Sequence, residues 1–287
     1  MTEARAVVAI VGGGFTGATV AYHLAGHLED QAVDLVIIEP REGLGQGLAY
    51  STTDPSHRIN VPANRMTMDC AVEDGFQRWL DDRAVDLSPG SRTADGSVYA
   101  QRGLVAAYVA DRVQPYLSAG RIRHIRARAV AVEKGDRFRI GLDDGSEIAA
   151  DQLVVATSHP PPSIPEAFAH LKTSPRLIAD PADRDRLAAL AKTAGRIAII
   201  GTGLTSADVI ASLDRQGYPG EILALSRRGL RSRGHALGCP ESAADFANDP
   251  ETTALGVLRR IRAAVRQDRC VGFPGRQRST GCESRAG

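Results

Sequence analysis

A strand-length run of β-branched residues, a glycine turn and a helix-forming stretch follow one another twice in this chain. The first copy reads Val7-Val8-Ala9-Ile10-Val11-Gly12-Gly13-Gly14-Phe15-Thr16-Gly17, and the second Arg196-Ile197-Ala198-Ile199-Ile200-Gly201-Thr202-Gly203-Leu204-Thr205-Ser206. A lone glycine fingerprint constrains little. Two copies, each set between a strand and a helix, predict two α/β units whose turns aim helix-terminal amides at a phosphate. The helix dipole favours an anion at the same place.

The first unit is complete. A strand at about 6–11 leads through the turn to a helix at about 15–28, and a second strand runs from Val33 to Glu39. In this βαβ unit Gly12 permits the turn, Gly14 lets a pyrophosphate reach the backbone, and Gly17 lets the helix pack on its strand. Phe15 and Thr16 open the helix beside the phosphates. Glu39 ends the second strand, where a carboxylate accepts from ribose hydroxyls; an unphosphorylated ribose fits FAD or NAD and disfavours NADP. The second unit differs at this position. Its next strand ends Leu225-Ser226-Arg227-Arg228-Gly229, with two guanidinium groups in place of the acid. Arg227 and Arg228 suit the 2′-phosphate of NADP, while a solvated basic turn is the alternative. Ser206 takes the place of the third glycine and is small enough for close packing. Asp208, one turn into the helix, either favours the dipole or bonds to the loop.

Between the units, Gly43 to Met66 is glycine-rich and polar without periodicity, as a long functional loop would be. A helix is expected at about 100–117. Ile122–Val132 and Arg137–Leu142 alternate like antiparallel strands, with a turn at Asp143-Asp144-Gly145-Ser146 before Glu147 and Ile148. Gln152 to Thr157 reads as a buried parallel strand, and Pro160-Pro161-Pro162 begins an extended linker. A helix at about 183–193 precedes the second glycine unit, and an amphipathic helix is expected at about 251–267. The expected division is therefore 1–182, 183–268 and an irregular tail at 269–287.

Composition narrows the function classes. A net charge of +1 points to neither nucleic acid nor an anionic membrane. No apolar run approaches the ~20 residues that span a bilayer, so a cytoplasmic, membrane-free protein is expected. Cys70, Cys239, Cys270 and Cys282 form no Cys-x-x-Cys pair and no metal-ligand spacing, so neither a redox dithiol nor a metal site is expected. The arginines of the last third (Arg259, Arg260, Arg262, Arg266, Arg269, Arg276, Arg278) lack the aromatics and fold that nucleic-acid binding requires.

The pattern resembles the flavoproteins with two dinucleotide-binding domains, and more narrowly the bacterial FAD-NAD(P)-binding family. Relatives of that family include flavin-dependent N-hydroxylases and other NADPH-dependent monooxygenases. Besides both glycine turns, the marks are Gly45-Gln46-Gly47-Leu48-Ala49-Tyr50-Ser51, Arg58-Ile59-Asn60-Val61-Pro62-Ala63 and the strand end Ala156-Thr157. The resemblance covers about residues 5–265. It implies a Rossmann-like FAD-binding domain, with a parallel sheet and a small antiparallel crossover sheet, plus a partial second Rossmann-like domain for NAD(P). It places Gly45, Gly47, Asn60 and Val61 beside the flavin, Val130 near the adenine, and Ala156 and Thr157 by the cofactor, although Ser158 stands where many relatives have glycine. Gly201, Gly203, Leu204 and Thr205 would receive NADP. Arg102 is placed either by the cofactor or on the surface. His57 and His159 are the histidines near expected ligands, either to tune the flavin or to bond to backbone.

The implied reaction is hydride transfer from NADPH to FAD and then oxygen transfer to a small-molecule substrate; no catalytic side chain is assigned. The flavin carries such chemistry, and the protein supplies position and dryness. Only about 60 residues follow Arg228, and the segment from Cys270 has the Arg, Gly, Ser and Cys bias of a frameshifted reading. A C-terminally truncated, catalytically inactive dinucleotide-binding protein is therefore the alternative expectation.

Overall fold

The computed structural model describes residues 5–28, 32–69, 71–193, 195–232, 244–246 and 248–270, without the side chains of 268–270. Cys70, Cys239, Cys282 and the expected tail from residue 271 onward lie outside the described residues. The elements in chain order are β1 (Ala6–Val11), α1 (Phe15–His27), β2 (Val33–Ile38), α2 (Gly47–Tyr50), α3 (Gly75–Asp82), α4 (Gly103–Ser118), β3 (Ile122–Ile125), β4 (Ala129–Lys134), β5 (Phe138–Leu142), β6 (Glu147–Ala150), β7 (Gln152–Val155), α5 (Arg184–Ala191), β8 (Arg196–Ile200), α6 (Leu204–Arg215), β9 (Glu221–Leu225) and α7 (Ala254–Cys270).

A parallel sheet of order β3-β2-β1-β7 forms the centre of the first unit, and β4-β5-β6 form a small antiparallel sheet. Apolar side chains occupy both faces of β1 and β2, which is why these strands read as unbroken apolar runs. Ile10, Leu35 and Ile37 face one core with Ala18, Ala21 and Ala25 of α1 and Val105, Tyr108, Val109 and Val113 of α4. Ala9, Val36 and Ile38 face the other core with Ile140, Leu142 and Ala150 of the antiparallel sheet. The result is three layers: helices, parallel sheet, antiparallel sheet. A parallel sheet with a small antiparallel sheet is the fold class expected from the sequence.

The segment 122–132 requires correction. It is not one antiparallel strand: Ile122–Ile125 pairs in parallel with β2, from Leu35↔Ile122 to Ile38↔Ile125. The chain then turns, and Ala129–Lys134 pairs antiparallel with β5. An edge strand with one exposed side alternates in sequence much as an antiparallel strand does. The helix α3 escaped the sequence reading, although Phe76, Trp79 and Leu80 have i, i+3, i+4 spacing and are buried.

In the second glycine unit β8 and β9 pair in parallel, from Arg196↔Glu221 to Ile200↔Leu225. The carboxylate of Asp183 accepts from the Arg186 amide and caps α5. Contacts divide the chain into two compact units, 1–232 and 233–287, so both glycine turns belong to the first. The second contains α7, where Leu255, Leu258, Ile261 and Val265 keep the expected amphipathic spacing.

Candidate functional site: two glycine turns with one backbone

The two turns share a conformation. Gly12 and Gly201 both take positive φ, +101° and +118°. Gly14 and Gly203 are the N-caps of α1 and α6, with φ, ψ of −66°, −167° and −85°, −171°; neither helix has a side-chain cap. Uncapped first-turn amides at the C-terminal end of parallel strands are what a dinucleotide pyrophosphate requires. The Gly12 amide donates to Ile38 O (2.9 Å), and the Gly201 amide to Leu225 O (2.7 Å), so each turn is tied to the neighbouring strand's end.

Around the first turn the chain packs closely. A Cβ on Gly12 would collide with Ala156 O, and one on Gly17 with Gly12 O. The Ala156-Thr157 strand end therefore packs directly against the glycine turn. Thr157 and Thr16 are exposed at this end, and Phe15 tilts against Tyr50 with ring centroids 5.8 Å apart. The loop that begins at Gly43 lies on the turn as well. The Gly45 amide donates to Gly13 O (2.8 Å). A Cβ on Gly14 would sit 3.2 Å from Gly47 Cα, and one on Gly47 3.1 Å from Gly14 Cα. Mutual contact with Gly47 is thus one reason for glycine at 14.

Glu39 stands at the end of β2, almost wholly buried. Its Oε2 accepts from the Gly13 amide (2.9 Å), and its Oε1 from the amide and guanidinium of Arg41 (both 3.0 Å). Each carboxylate oxygen has room for two donors, so Oε2 retains acceptor capacity beyond the Gly13 bond. The sequence reading found the acid but not Arg41 or the bond that makes Glu39 part of the turn. Val130 is 61% exposed on β4, Val155 is 68% exposed at the end of β7, Asn60 is exposed and Val61 half-buried. Exposed Val155 at the end of β7 and the uncapped first-turn amides of α1 are features that an FAD molecule could use.

The second turn is open. A Cβ on Gly201 or Gly203 meets nothing within 4 Å among the described residues. Gly203, Leu204, Thr205, Arg227 and Arg228 are exposed. The turn is fastened from behind, where the hydroxyls of Thr202 and Ser226 both donate to Leu230 O. The Ser206 hydroxyl donates to Gly203 O (2.7 Å), so serine in the third glycine position keeps its polar atom inside its own turn. Open glycine backbone with two exposed guanidinium groups on the adjoining strand end fits a phosphorylated dinucleotide.

Between the turns lies a polar network that the sequence did not disclose. Arg102 bonds to both carboxylate oxygens of Asp208 (2.7 and 3.1 Å) and donates to Arg58 O. Arg102 and Asp208 are thus partners of each other. Ser212, buried on α6, donates its hydroxyl to Asp54 (2.8 Å) and lies 2.9 Å from His57 Nε2. His57 Nε2 must therefore be the donor in that pair, and Nδ1 accepts from the Thr52 hydroxyl (2.8 Å). Arg215 donates twice to Asp54, and Arg184 donates to Thr53 Oγ1 and Ser51 O. Burial pushes His57 below the usual imidazole range; Asp208 and Asp54 oppose that push, and Arg102 and Arg184 add to it. For Asp54 burial works against the charge, but hydrogen bonds from Ser56, Arg215 and Ser212 outweigh it and hold the carboxyl well below its ordinary value. His159 is exposed and its ring Nδ1 lies 2.8 Å from Pro160 O, away from this network's hydrogen bonds.

Two glycine turns of one conformation, each between a parallel strand and a helix, define a dinucleotide-binding α/β protein. The chain belongs to the FAD-NAD(P)-binding family, whose profile matches residues 9–160. The family's cofactors, FAD and NAD(P), are those the residues predict. A comparison with curated proteins returned no match. Among solved structures, the FAD-bound cadaverine monooxygenase DfoA of desferrioxamine biosynthesis from Erwinia amylovora aligns with 77% of this chain and 51% of its own, at 15% identity and a TM-score of 0.54. Ornithine hydroxylase PvdA from Pseudomonas aeruginosa aligns over 77% and 54% at 16% identity and a TM-score of 0.49. A flavin monooxygenase from Stenotrophomonas maltophilia aligns over 78% and 58% at 23% identity and a TM-score of 0.47. The chain thus spans little more than half the length of these proteins. Among the described residues no helix is long and apolar enough to cross a membrane, and no His, Cys, Asp and Glu cluster could hold a metal.

Proposed function

We propose that this chain is an FAD-dependent, NADPH-using oxidoreductase of the monooxygenase type acting on a small molecule. The observation that supports this most is the pairing, within one compact unit, of a turn finished by an acid with a turn flanked by two arginines. In this reading the uncapped amides from Gly14 to Gly17 hold the FAD pyrophosphate, and Glu39 accepts from its ribose. Asn60 and Val61 border the flavin, and Val130 covers the adenine. Gly203, Leu204 and Thr205 receive the second pyrophosphate, with Arg227 and Arg228 on the 2′-phosphate. Bound FAD supplies hydride acceptance and oxygen activation, and the chain supplies position and exclusion of water. The proposed domain limits are 1–182 for FAD and 183–268 for NAD(P).

A second reading is a protein that binds dinucleotides without turnover. It is favoured by the β8–β9 pair, where Ile200, Leu223 and Leu225 are 49%, 42% and 46% exposed. Parallel sheets are ordinarily covered on both faces. The visible spectrum of the purified chain with FAD, recorded before and after anaerobic NADPH, separates the readings. A flavin band that bleaches supports the oxidoreductase; a bound flavin that NADPH leaves oxidised supports the second reading; no flavin uptake contradicts both.

A further inference from the structure

The polar network between the turns follows one stripe of α6. Asp208, Ser212 and Arg215 stand at i, i+4 and i+7, hence on one face of the helix. Each finds its partner in the glycine-rich loop 43–66 or at the start of α4. Arg102 takes Asp208, His57 and Asp54 share Ser212, and Asp54 also takes Arg215. Arg102 additionally donates to Arg58 O, so the same guanidinium grips the loop's backbone and the helix together.

The same helix begins at Gly203, the N-cap of the second turn. Asp208 lies only about 8 Å along the axis from that N-cap, at 1.5 Å per residue. A helix turn is stiff, so a shift of the glycine turn carries Asp208 and Ser212 with it. Shape and chemistry agree on the nature of the contact. It is made by charged and hydroxyl groups with direction-dependent bonds, which fix register closely and, unlike an apolar contact, separate into water at little cost.

We propose that Asp208, Ser212 and Arg215, with Arg102, His57 and Asp54, form a polar latch that sets the register of the pyridine-nucleotide turn on the flavin loop, so that a ligand at the turn is felt by residues 51–58. These are positioning residues: they act through α6 and touch neither reacting atom. The latch deepens the two-site reading above and rests on it for its purpose, though the latch contact itself is independent of ligand.

Hydrogen exchange of the full chain, followed peptide by peptide, tests it. Arg102→Glu and Asp208→Arg each reverse one charge, and either alone should speed exchange roughly tenfold in both 51–58 and 204–216. The double variant, which restores the pair in swapped order, should return both segments toward the wild-type rate. Ser212→Ala, which adds no bulk, should loosen the same two segments by a few-fold and guards against misfolding of the reversals. Acceleration confined to one segment, or a double variant as fast as its parents, overturns the latch. In a second arm NADP is added to the wild type. Protection at 201–205 that extends to 51–58, and stops at the turn in Asp208→Arg, supports transmission. Protection of the turn without the loop overturns it. Protection nowhere counts against the assignment of the second turn, and the charge-swap arm then decides the latch by itself.

Discussion

In the first glycine turn every position is hemmed in by the chain: Gly12 by Ala156, Gly13 by Leu44 and Glu39, Gly14 by Gly47, Gly17 by Gly12. In the second, Gly201 and Gly203 meet no other described residue, although the two backbones match at the corresponding positions. The difference separates two reasons for glycine that a sequence pattern merges. Glycine in the first turn is required by the protein's own packing, whatever else it admits. At Gly201 positive φ is reason enough. Among the described residues Gly203 has neither strain nor a neighbour, which is consistent with the proposed pyrophosphate at this turn.

The sharpest way to break this comparison is to place one methyl group in each turn. Gly12→Ala adds a side chain at positive φ against Ala156 O, and should cost about 3 kcal/mol or more. That is a large share of a domain's net stability, and the expected outcome is loss of soluble, folded protein on circular dichroism and thermal melting. Gly203→Ala meets nothing and should leave the melting temperature within a degree or two. Its effect belongs to the ligand, with NADPH affinity falling tenfold or more by titration. A Gly12→Ala protein as stable as the wild type would show that the packing at the first turn is idle.

Glu39→Ala sharpens the same point. It removes a buried acceptor of three hydrogen bonds, two of them from backbone amides. About 1–3 kcal/mol of stability should go with FAD affinity. By contrast Arg227→Ala and Arg228→Ala, both on exposed residues, should leave the melt unchanged. Each should erode the preference for NADPH over NADH by about tenfold, the scale of one charge-assisted bond pair. Equal preference before and after would assign the arginines to a solvated turn.

The smallest effect expected is on pH. The folded protein holds His57 neutral and below its ordinary range. The stability that neutral His57 contributes is complete above about pH 6.5 and is lost as pH falls from there through the folded value. Protection of 51–58 and 204–216, relative to the intrinsic exchange rate at each pH, should therefore fall together on mild acidification, and His57→Gln should flatten that fall. Asp54, held far below the usual carboxylate range, stays charged throughout this window, and the guanidinium groups of Arg102, Arg184 and Arg215 belong to the same network.

Much of this was legible in the sequence, for physical reasons that differ by element. β1, α1, β2 and β8 to β9 could be placed because buried parallel strands and glycine turns leave strong local signals. β3 was misread because an edge strand's one exposed side imitates antiparallel alternation. Glu39 could be located from its distance along the chain. Its bond to the Gly13 amide could not, since that depends on where β2 ends in space. The latch was the least legible part. Asp208, Ser212 and Arg215 look like ordinary solvent-facing helix residues until Asp54, His57 and Arg102 are brought to them by folding, more than a hundred residues away in sequence.

The central claim, that the hemmed turn holds FAD and the open turn delivers NADPH to it, is tested most directly by anaerobic stopped-flow absorbance of the FAD-loaded chain mixed with NADPH. The account predicts that the wild type bleaches with a rate that saturates in NADPH. It predicts that Gly203→Ala takes up the same flavin but needs at least tenfold more NADPH for half the maximal rate. Identical NADPH dependence in the two proteins, or a flavin band that never bleaches in the wild type, would contradict it.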